Sequence, residues 1–300
     1  VCFDKFTGVQ EVINIIRKIM NENNLGIYIV ATPIGNLEDI SERAVNTMMD
    51  ADIIICENPK HSLKLLTKLG IKKKLYTLHD HNEEKIIAIL GEKIFNKSIA
   101  LISDAGSPLI SDPGYKLVQH YISNNLPITS IPGPSSLINA LQVSGIPIDK
   151  FKYLGFVPKS KNKIENFIND LKNENQTSVF FVSSHKVTYF LEELVGKIGG
   201  RQISVCKELT KINENIFRGS GKSLLNKFKL SKKNSLGEFV ITLEGNKKLN
   251  ENSKKITPNV ESQIKKLMKK NSLTDVVEIV HNLTNVSKKA IYKKALDLKK

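Results

Sequence analysis

Residues 99–114 run IALISDAGSPLISDPG. Ile99 to Ile102 are apolar, short in run and rich in β-branched side chains, the pattern of a buried strand. The twelve residues that follow contain two glycines, two prolines and no basic side chain. Small residues after a strand let a ligand approach the backbone, whose amides and carbonyls can hold it. The same pattern recurs on either side. Ile27 to Ala31 reads as a strand and runs into Thr32-Pro33-Ile34-Gly35-Asn36. Ile128 to Ile131 reads as a strand and runs into Pro132-Gly133-Pro134-Ser135-Ser136. In a parallel sheet such loops gather at the carboxyl edge, where ligands bind.

The intervening chain alternates strand and helix. Residues 53–56 and 75–78 read as further strands. Helices are expected over 60–69, closed by Gly70, over 82–95, and around 117–122. Asp39, with Glu42 three residues on, has the form of a capping box. The helix it would open carries Ile40, Ala44, Val45 and Met48 at helical spacing. This alternation predicts an α/β fold with a mostly parallel sheet covered on both faces.

Near Lys150 the pattern changes. Residues 151–156 precede Pro158 and a lysine-rich stretch that reads as a linker. A second α/β unit is expected beyond it, with strands at 178–182, 202–206 and 238–243 and helices at 185–198 and 223–228. Residues 246–258 read as a second linker. The last 40 residues read as three short helices. The first spans 263–270. The second is framed by Ser272 and Asp275 and carries Val276, Val277, Val280 and Leu283. The third is capped by Ser287, with Ile291, Ala295, Leu296 and Leu298 inward. That is a helix-turn-helix-like module. The expected division is 1–25 as an N-terminal extension, 26–150 and 151–248 as two α/β domains, and 258–300 as an RNA-binding helical module. The extension contains one amphipathic pattern (Val9, Val12, Ile13, Ile16, Met20) and is assigned no function.

Of the 300 residues 40% are hydrophobic and 25% charged, the balance of an ordinary folded protein. No apolar run reaches the ~18–20 residues that span a bilayer, and charges interrupt the first 24 residues, so neither membrane nor signal segment is expected. The net charge of +15 is unevenly placed: residues 1–155 are neutral, 156–245 carry +6 and 246–300 carry +9. Lysine used as a general surface filler would not leave the front half neutral. A basic rear half is the footprint of a polyanion partner, nucleic acid ahead of anionic membrane. Cys2, Cys56 and Cys206 are odd in number and far apart, which gives no disulfide framework and a reducing, cytoplasmic setting as the expectation.

Neither GxxxxGK(S/T) nor a GxGxxG after the first strand occurs in the sequence, which disfavours ATP hydrolysis and dinucleotide binding. His79-Asp80-His81 places two imidazoles on one face of an extended chain without a third ligand, so no metal site is expected.

The segments GIYIVATPIGNLEDIS, IIICE with its KLL helix, LHDHNE, LISDAGSPLISDPGYKLV and SIPGPSSLINAL occur in this order. GFVPK, VFFVSSHK, CKELTK, FRG and GEFVITLEG follow in the second half. Together they resemble the bacterial ribosomal RNA small-subunit methyltransferase I family, a branch of the tetrapyrrole methylase superfamily, over about residues 26–300. The resemblance implies two α/β domains of tetrapyrrole-methylase type with a cofactor cleft between them, usually in a homodimer. It implies S-adenosylmethionine as methyl donor and 2′-O-methylation of a decoding-centre cytidine ribose in 16S rRNA of the 30S subunit. Carried over by position, the cofactor contacts are Pro33, Ala105, Gly106, Ser107, Ile110, Ser135 and Ser136, with Val182 supplying a second-domain wall. Two other readings stand beside it: a tetrapyrrole-precursor methyltransferase and a non-catalytic rRNA-binding factor. Two runs depart from the family pattern. Glu57-Asn58-Pro59-Lys60 stands where an acidic residue, Thr and Arg are usual. Val182-Ser183-Ser184-His185-Lys186 stands where Glu-Ser-Pro-His-Arg is typical. The Arg-to-Lys exchanges give up bidentate recognition of phosphate or carboxylate.

Methyl transfer of this kind is an in-line displacement with a neutral leaving group. The enzyme aligns the hydroxyl oxygen with the methyl carbon at about 3–3.5 Å, and a base can take the proton. Glu57, His79, Asp80, His81, Asp104 and His185 are the candidate acceptors, with Asp104 and His81 preferred. Asp112 reads as the organiser of the Asp-Pro-Gly turn. Tyr115, Tyr153 and Phe156 are candidates to stack on a base, with core packing the first expectation for Phe156.

Overall fold

A computed structural model describes residues 25–230, 235–247, 256, 258–284 and 286–299. The expected N-terminal helix and most of the second linker lie outside the described residues. The chain divides into one unit of residues 1–143 and 206–216 and a second of residues 144–205 and 217–300.

In the first unit, Gly26–Val30 (β1), Ile53–Cys56 (β2), Lys74–Thr77 (β3), Ser98–Ile102 (β4) and Ile128–Ile131 (β5) form a sheet in the order β3-β2-β4-β1-β5. Every pair in it is parallel. A sheet covered on both faces needs apolar residues on both, and β2 meets that need, being buried at all four positions. Ile53 and Ile55 pack in a layer with Leu90, Leu117 and Tyr121. Ile54 and Cys56 pack in the other with Met48 and Leu66.

The helices follow the expected periodicity, with two adjustments. Ser41, and not Asp39, caps the helix Glu42–Asp50 by accepting from the Ala44 amide at 3.1 Å. Asn36 caps a separate turn over Leu37–Asp39, so the helix starts two residues later than the capping-box pattern suggests. The helix expected over 82–95 is two pieces, Glu83–Leu90 and Lys93–Asn96. Gly91 parts them at φ +47°, a conformation glycine adopts without steric cost.

The second sheet is Phe151–Phe156 (β6), Thr177–Ser183 (β7), Gln202–Lys207 (β8), Asn215–Ser220 (β9) and Glu238–Leu243 (β10), ordered β6-β7-β10-β8-β9. β6 runs parallel to β7 and β10 antiparallel to it. The lysine-rich stretch after Pro158 is not a linker. It forms the helix Lys161–Lys172, which turns Ile164, Ile168 and Leu171 into the core and its lysines outward. Phe156 is 61% exposed, against the expectation that it is a core residue.

The C-terminal module is three helices, Pro258–Leu267, Leu273–Thr284 and Lys288–Asp297. It has its own core of Ile264, Val276, Val277, Val280, Val286, Ile291 and Ala295. The capping residues read from sequence act as such. Ser272 Oγ accepts from the Asp275 amide at 3.2 Å and donates to the Asp275 carboxylate at 2.6 Å. Ser287 Oγ accepts from the Ala290 amide at 3.3 Å. Leu296, expected inward, faces solvent, as does Leu283. Among the described residues no helix is long and apolar enough to cross a membrane.

Candidate functional site

The three loops singled out in the sequence leave neighbouring strands. β4, β1 and β5 are adjacent in the sheet, and Val30 lies level with both Ile102 and Ile131. The loops therefore start side by side at one carboxyl edge, and hydrogen bonds then join them. Thr32 and Gly106 form an antiparallel bridge: the Thr32 amide donates to Gly106 O at 2.8 Å and the Gly106 amide to Thr32 O at 3.0 Å. Thr32 Oγ1 donates to Ser103 O at 3.2 Å, and Ser107 Oγ donates to Pro134 O at 3.3 Å. Each loop is thus held by its neighbour, with Ala105 and Ile110 exposed, Gly106 buried, and Pro33, Ser107, Ser135 and Ser136 half-buried.

Two glycines make this approach possible. Gly106 has φ +85°, and a Cβ there would stand 3.3 Å from Ile34 Cγ2. A Cβ on Gly133 would stand 2.9 Å from Ala31 Cβ, closer than two methyl carbons pack. Leu109 and Ser111 hold left-handed backbone at φ 72° and 70°. Each costs on the order of 1–3 kcal/mol, and such strain clusters at ligand-binding sites. What fixes the end of this loop is Glu83. Its buried carboxylate accepts from the amides of Gly114 at 3.1 Å, Lys116 at 2.8 Å and Leu117 at 3.2 Å. The negative group sits at the start of the helix Tyr115–Ser123, where the helix dipole favours it. The sequence marks Asp112 as an organiser of this turn and gives no sign of Glu83. An acidic residue in the first turn of one helix gives no sign that it caps another 31 residues away.

Three carboxylates converge beside the loops. Glu57 follows β2, Asp104 follows β4, and Asp112 lies later in the β4 loop. Asp104 Oδ1 accepts from the Asn58 amide at 3.3 Å. Burial pushes Glu57 above the usual carboxylate range, as do the charges of Asp104 and Asp80, against a smaller opposing pull from His79. Burial, then the charge of Glu57, pushes Asp112 up to about 6, with a hydrogen bond from Ser103 opposing and Asp104 adding to the rise. Glu57 and Asp112 therefore act on one another and both feel Asp104, while Asp80 and His79 act on Glu57. His81, in the turn after β3, is exposed and is not among the groups that act on Glu57 or Asp112.

The Asp112 shift carries a pH dependence. Its folded-state value lies above the ordinary 3.8, so its contribution to stability is full below that value and is lost as pH rises through about 6. Above pH 7 the ionised side chain disfavours the fold. Asp112→Asn is expected to stabilise the protein at pH 8 by about 1 kcal/mol, a figure discounted for solvent screening, and to change little at pH 4. Thermal melts of both proteins across that range check the sign.

The runs that depart from the family pattern are used structurally. Asn58 Oδ1 caps the helix Pro59–Lys68 by accepting from the Lys60 amide at 3.1 Å, with Pro59 at the first helical position, where its missing N–H costs nothing. In the second unit, Lys186 Nζ donates to Lys159 O at 2.7 Å. His185 is exposed, and the Val182 side chain is buried in that unit's apolar core, so any contact Val182 offers a ligand is through its backbone. A further contact lies beyond sequence reading. Residues 206–216 group with the first unit, and Thr210 Oγ1 accepts from the Asn36 amide at 3.1 Å. Glu208 and Thr210 hold φ at 51° and 65° there.

The family described as Tetrapyrrole (Corrin/Porphyrin) Methylases matches residues 26–225. The chain is 37% identical to the Ribosomal RNA small subunit methyltransferase I of Haemophilus influenzae over 89% of this chain and 94% of that protein. It is 35% identical to the protein of the same name from Escherichia coli O157:H7 over 92% and 96%. Among solved structures, a cobalt precorrin-4 methyltransferase superposes with a TM-score of 0.54 at 18% identity, covering 73% of this chain and 94% of that one. This chain belongs to the tetrapyrrole methylase family, in the branch of the ribosomal RNA small subunit methyltransferases I.

Proposed function

We propose that the protein transfers a methyl group from S-adenosylmethionine to the ribose 2′-hydroxyl of a decoding-centre cytidine in 16S rRNA of the small ribosomal subunit. The observation that carries the donor is the joined edge of β4, β1 and β5. Its three loops contain no lysine or arginine, hold two carboxylates, and bring small residues and backbone groups together. That set suits a cationic, phosphate-free nucleoside better than a nucleotide. The relatives' names support rRNA as the acceptor, and so does the net charge of +9 over residues 246–300.

S-adenosylmethionine, when bound, supplies an electrophilic methyl carbon on a leaving group that departs as a neutral thioether. The chain's own residues bind and align. Pro33, Ala105, Gly106, Ser107, Ile110, Ser135 and Ser136 form the cradle. Asp104 receives the hydroxyl proton, with His81 the other acceptor in this reading. The Lys-rich second half holds rRNA phosphates, which positions the substrate without reading its sequence.

Incubation with methyl-labelled S-adenosylmethionine and small subunits from cells lacking this protein tests the reading. Digestion to nucleosides should show label in 2′-O-methylcytidine. Label in a porphyrinoid offered in parallel, with none in rRNA, would overturn it.

A further inference from the structure

The last helix of the C-terminal module, Lys288–Asp297, buries one face and leaves the other without a partner among the described residues. Ile291 and Ala295 face the module's core. Tyr292 is 49% exposed and Leu296 40% exposed on the opposite side. Residues three and four apart on a helix are neighbours, so Lys288 and Lys289 lie one turn before Tyr292 and Leu296 one turn after. Lys293 lies beside Tyr292 and is exposed, as are Lys288 and Lys289. Lys294, on the inner side, is engaged with Glu261 at 2.9 Å, and Lys288 reaches Glu278 at 3.6 Å. Lys289 and Lys293 make no ion pair among the described residues. The face therefore offers one aromatic ring and two cations with no ion pair among the described residues.

We infer that this face docks an unpaired stretch of RNA, with Tyr292 stacked on a splayed base and Lys289 and Lys293 on the flanking phosphates. The inference deepens the rRNA reading above and rests on it. Three considerations select the partner. The lysines complement a polyanion. An exposed ring gains most from the π-face of a base that is out of a duplex, and stacking of this kind tolerates any base. The deep, narrow major groove of A-form RNA does not admit such a helix side. An anionic bilayer fits less well. A membrane-lying helix inserts a broad apolar face, and here that face is spent on the module's own core.

The test uses the full chain and fluorescence anisotropy with three probes: a labelled RNA hairpin with an unpaired loop, a fully paired RNA duplex, and phosphatidylglycerol vesicles. Tyr292→Ala should weaken hairpin binding roughly tenfold with an unchanged salt slope, because stacking releases no counterions. Tyr292→Phe should bind as the parent does. Lys289→Gln with Lys293→Gln should make the slope of log affinity against log salt shallower by about 1.4, at roughly 0.7 per phosphate contact on a single strand. Duplex binding should be indifferent to Tyr292. Equal hairpin affinity for Tyr292→Ala and the parent overturns the inference, and so does a loss confined to vesicles. Methyl transfer by the unaltered protein, measured alongside, separates the two failures: the rRNA reading falls if the parent does not methylate small subunits, whatever the Tyr292 variants do.

Discussion

Gly106→Val is expected to weaken S-adenosylmethionine binding on the order of 100-fold, about 3 kcal/mol, measured by calorimetric titration. Two effects combine. At φ +85° a β-branched residue is strained, and its Cβ stands 3.3 Å from Ile34 Cγ2. Relief of either moves Gly106 away from Thr32 and opens the bridge that joins the first two loops. The melting temperature should fall by several degrees, since about 1–3 kcal/mol of backbone strain is added. Gly106→Ala keeps the strained φ with a smaller side chain and should lie between. A titration of the valine protein that matches the parent would remove Gly106 from the site. Loss of binding only in proportion to unfolding would reduce its role to stability.

Removal of residues 258–300 is expected to lower affinity for the small subunit or its rRNA at least tenfold at physiological salt. Cofactor affinity should stay within twofold. The segment carries ten lysines against four acidic residues, and neutralised phosphates set both affinity and salt slope. Its apolar residues form a cluster separate from the core of the second sheet, so the remainder keeps its own packing. Equal loss of both affinities would contradict this division of labour. Filter binding across a salt series, paired with calorimetry, reads the two quantities separately.

Much of the fold follows from local pattern. The strands β2 and β10 carry short apolar runs bounded by polar residues, and they form at the positions the sequence indicates. The Ser272 and Ser287 caps are legible because a cap and its amide lie three residues apart. The failures are of another kind. Lys161–Lys172 reads as a linker because lysines dominate its composition, although Ile164, Ile168 and Leu171 already mark one inward face. The start of the helix Glu42–Asp50 is misplaced because Asn36 and Ser41 both compete to cap, and only the turn over Leu37–Asp39 resolves them. β9 is not legible in the sequence, since NIFRGS has neither a long apolar run nor strict alternation.

The site was legible as three loops and not as a constellation. Glycine and proline after each strand can be seen in one dimension. The adjacency of β4, β1 and β5, which turns them into one place, depends on strand order. Glu83 and the carboxylate group of Glu57, Asp104 and Asp112 depend on contacts spanning tens of residues, and no local pattern encodes them. Tyr292 is hidden in the sequence for the opposite reason. A tyrosine between lysines looks ordinary until the exposed face of its helix is known.

A structure of the protein with S-adenosylhomocysteine, the spent form of the proposed donor, tests the central claim most directly. The adenosine should lie against Pro33, Ala105 to Ser107 and Ser135, with the sulfur on the side of the Glu57, Asp104 and Asp112 carboxylates. Adenosine bound away from the carboxyl edge of β4, β1 and β5, or no binding at saturating concentration, would contradict it.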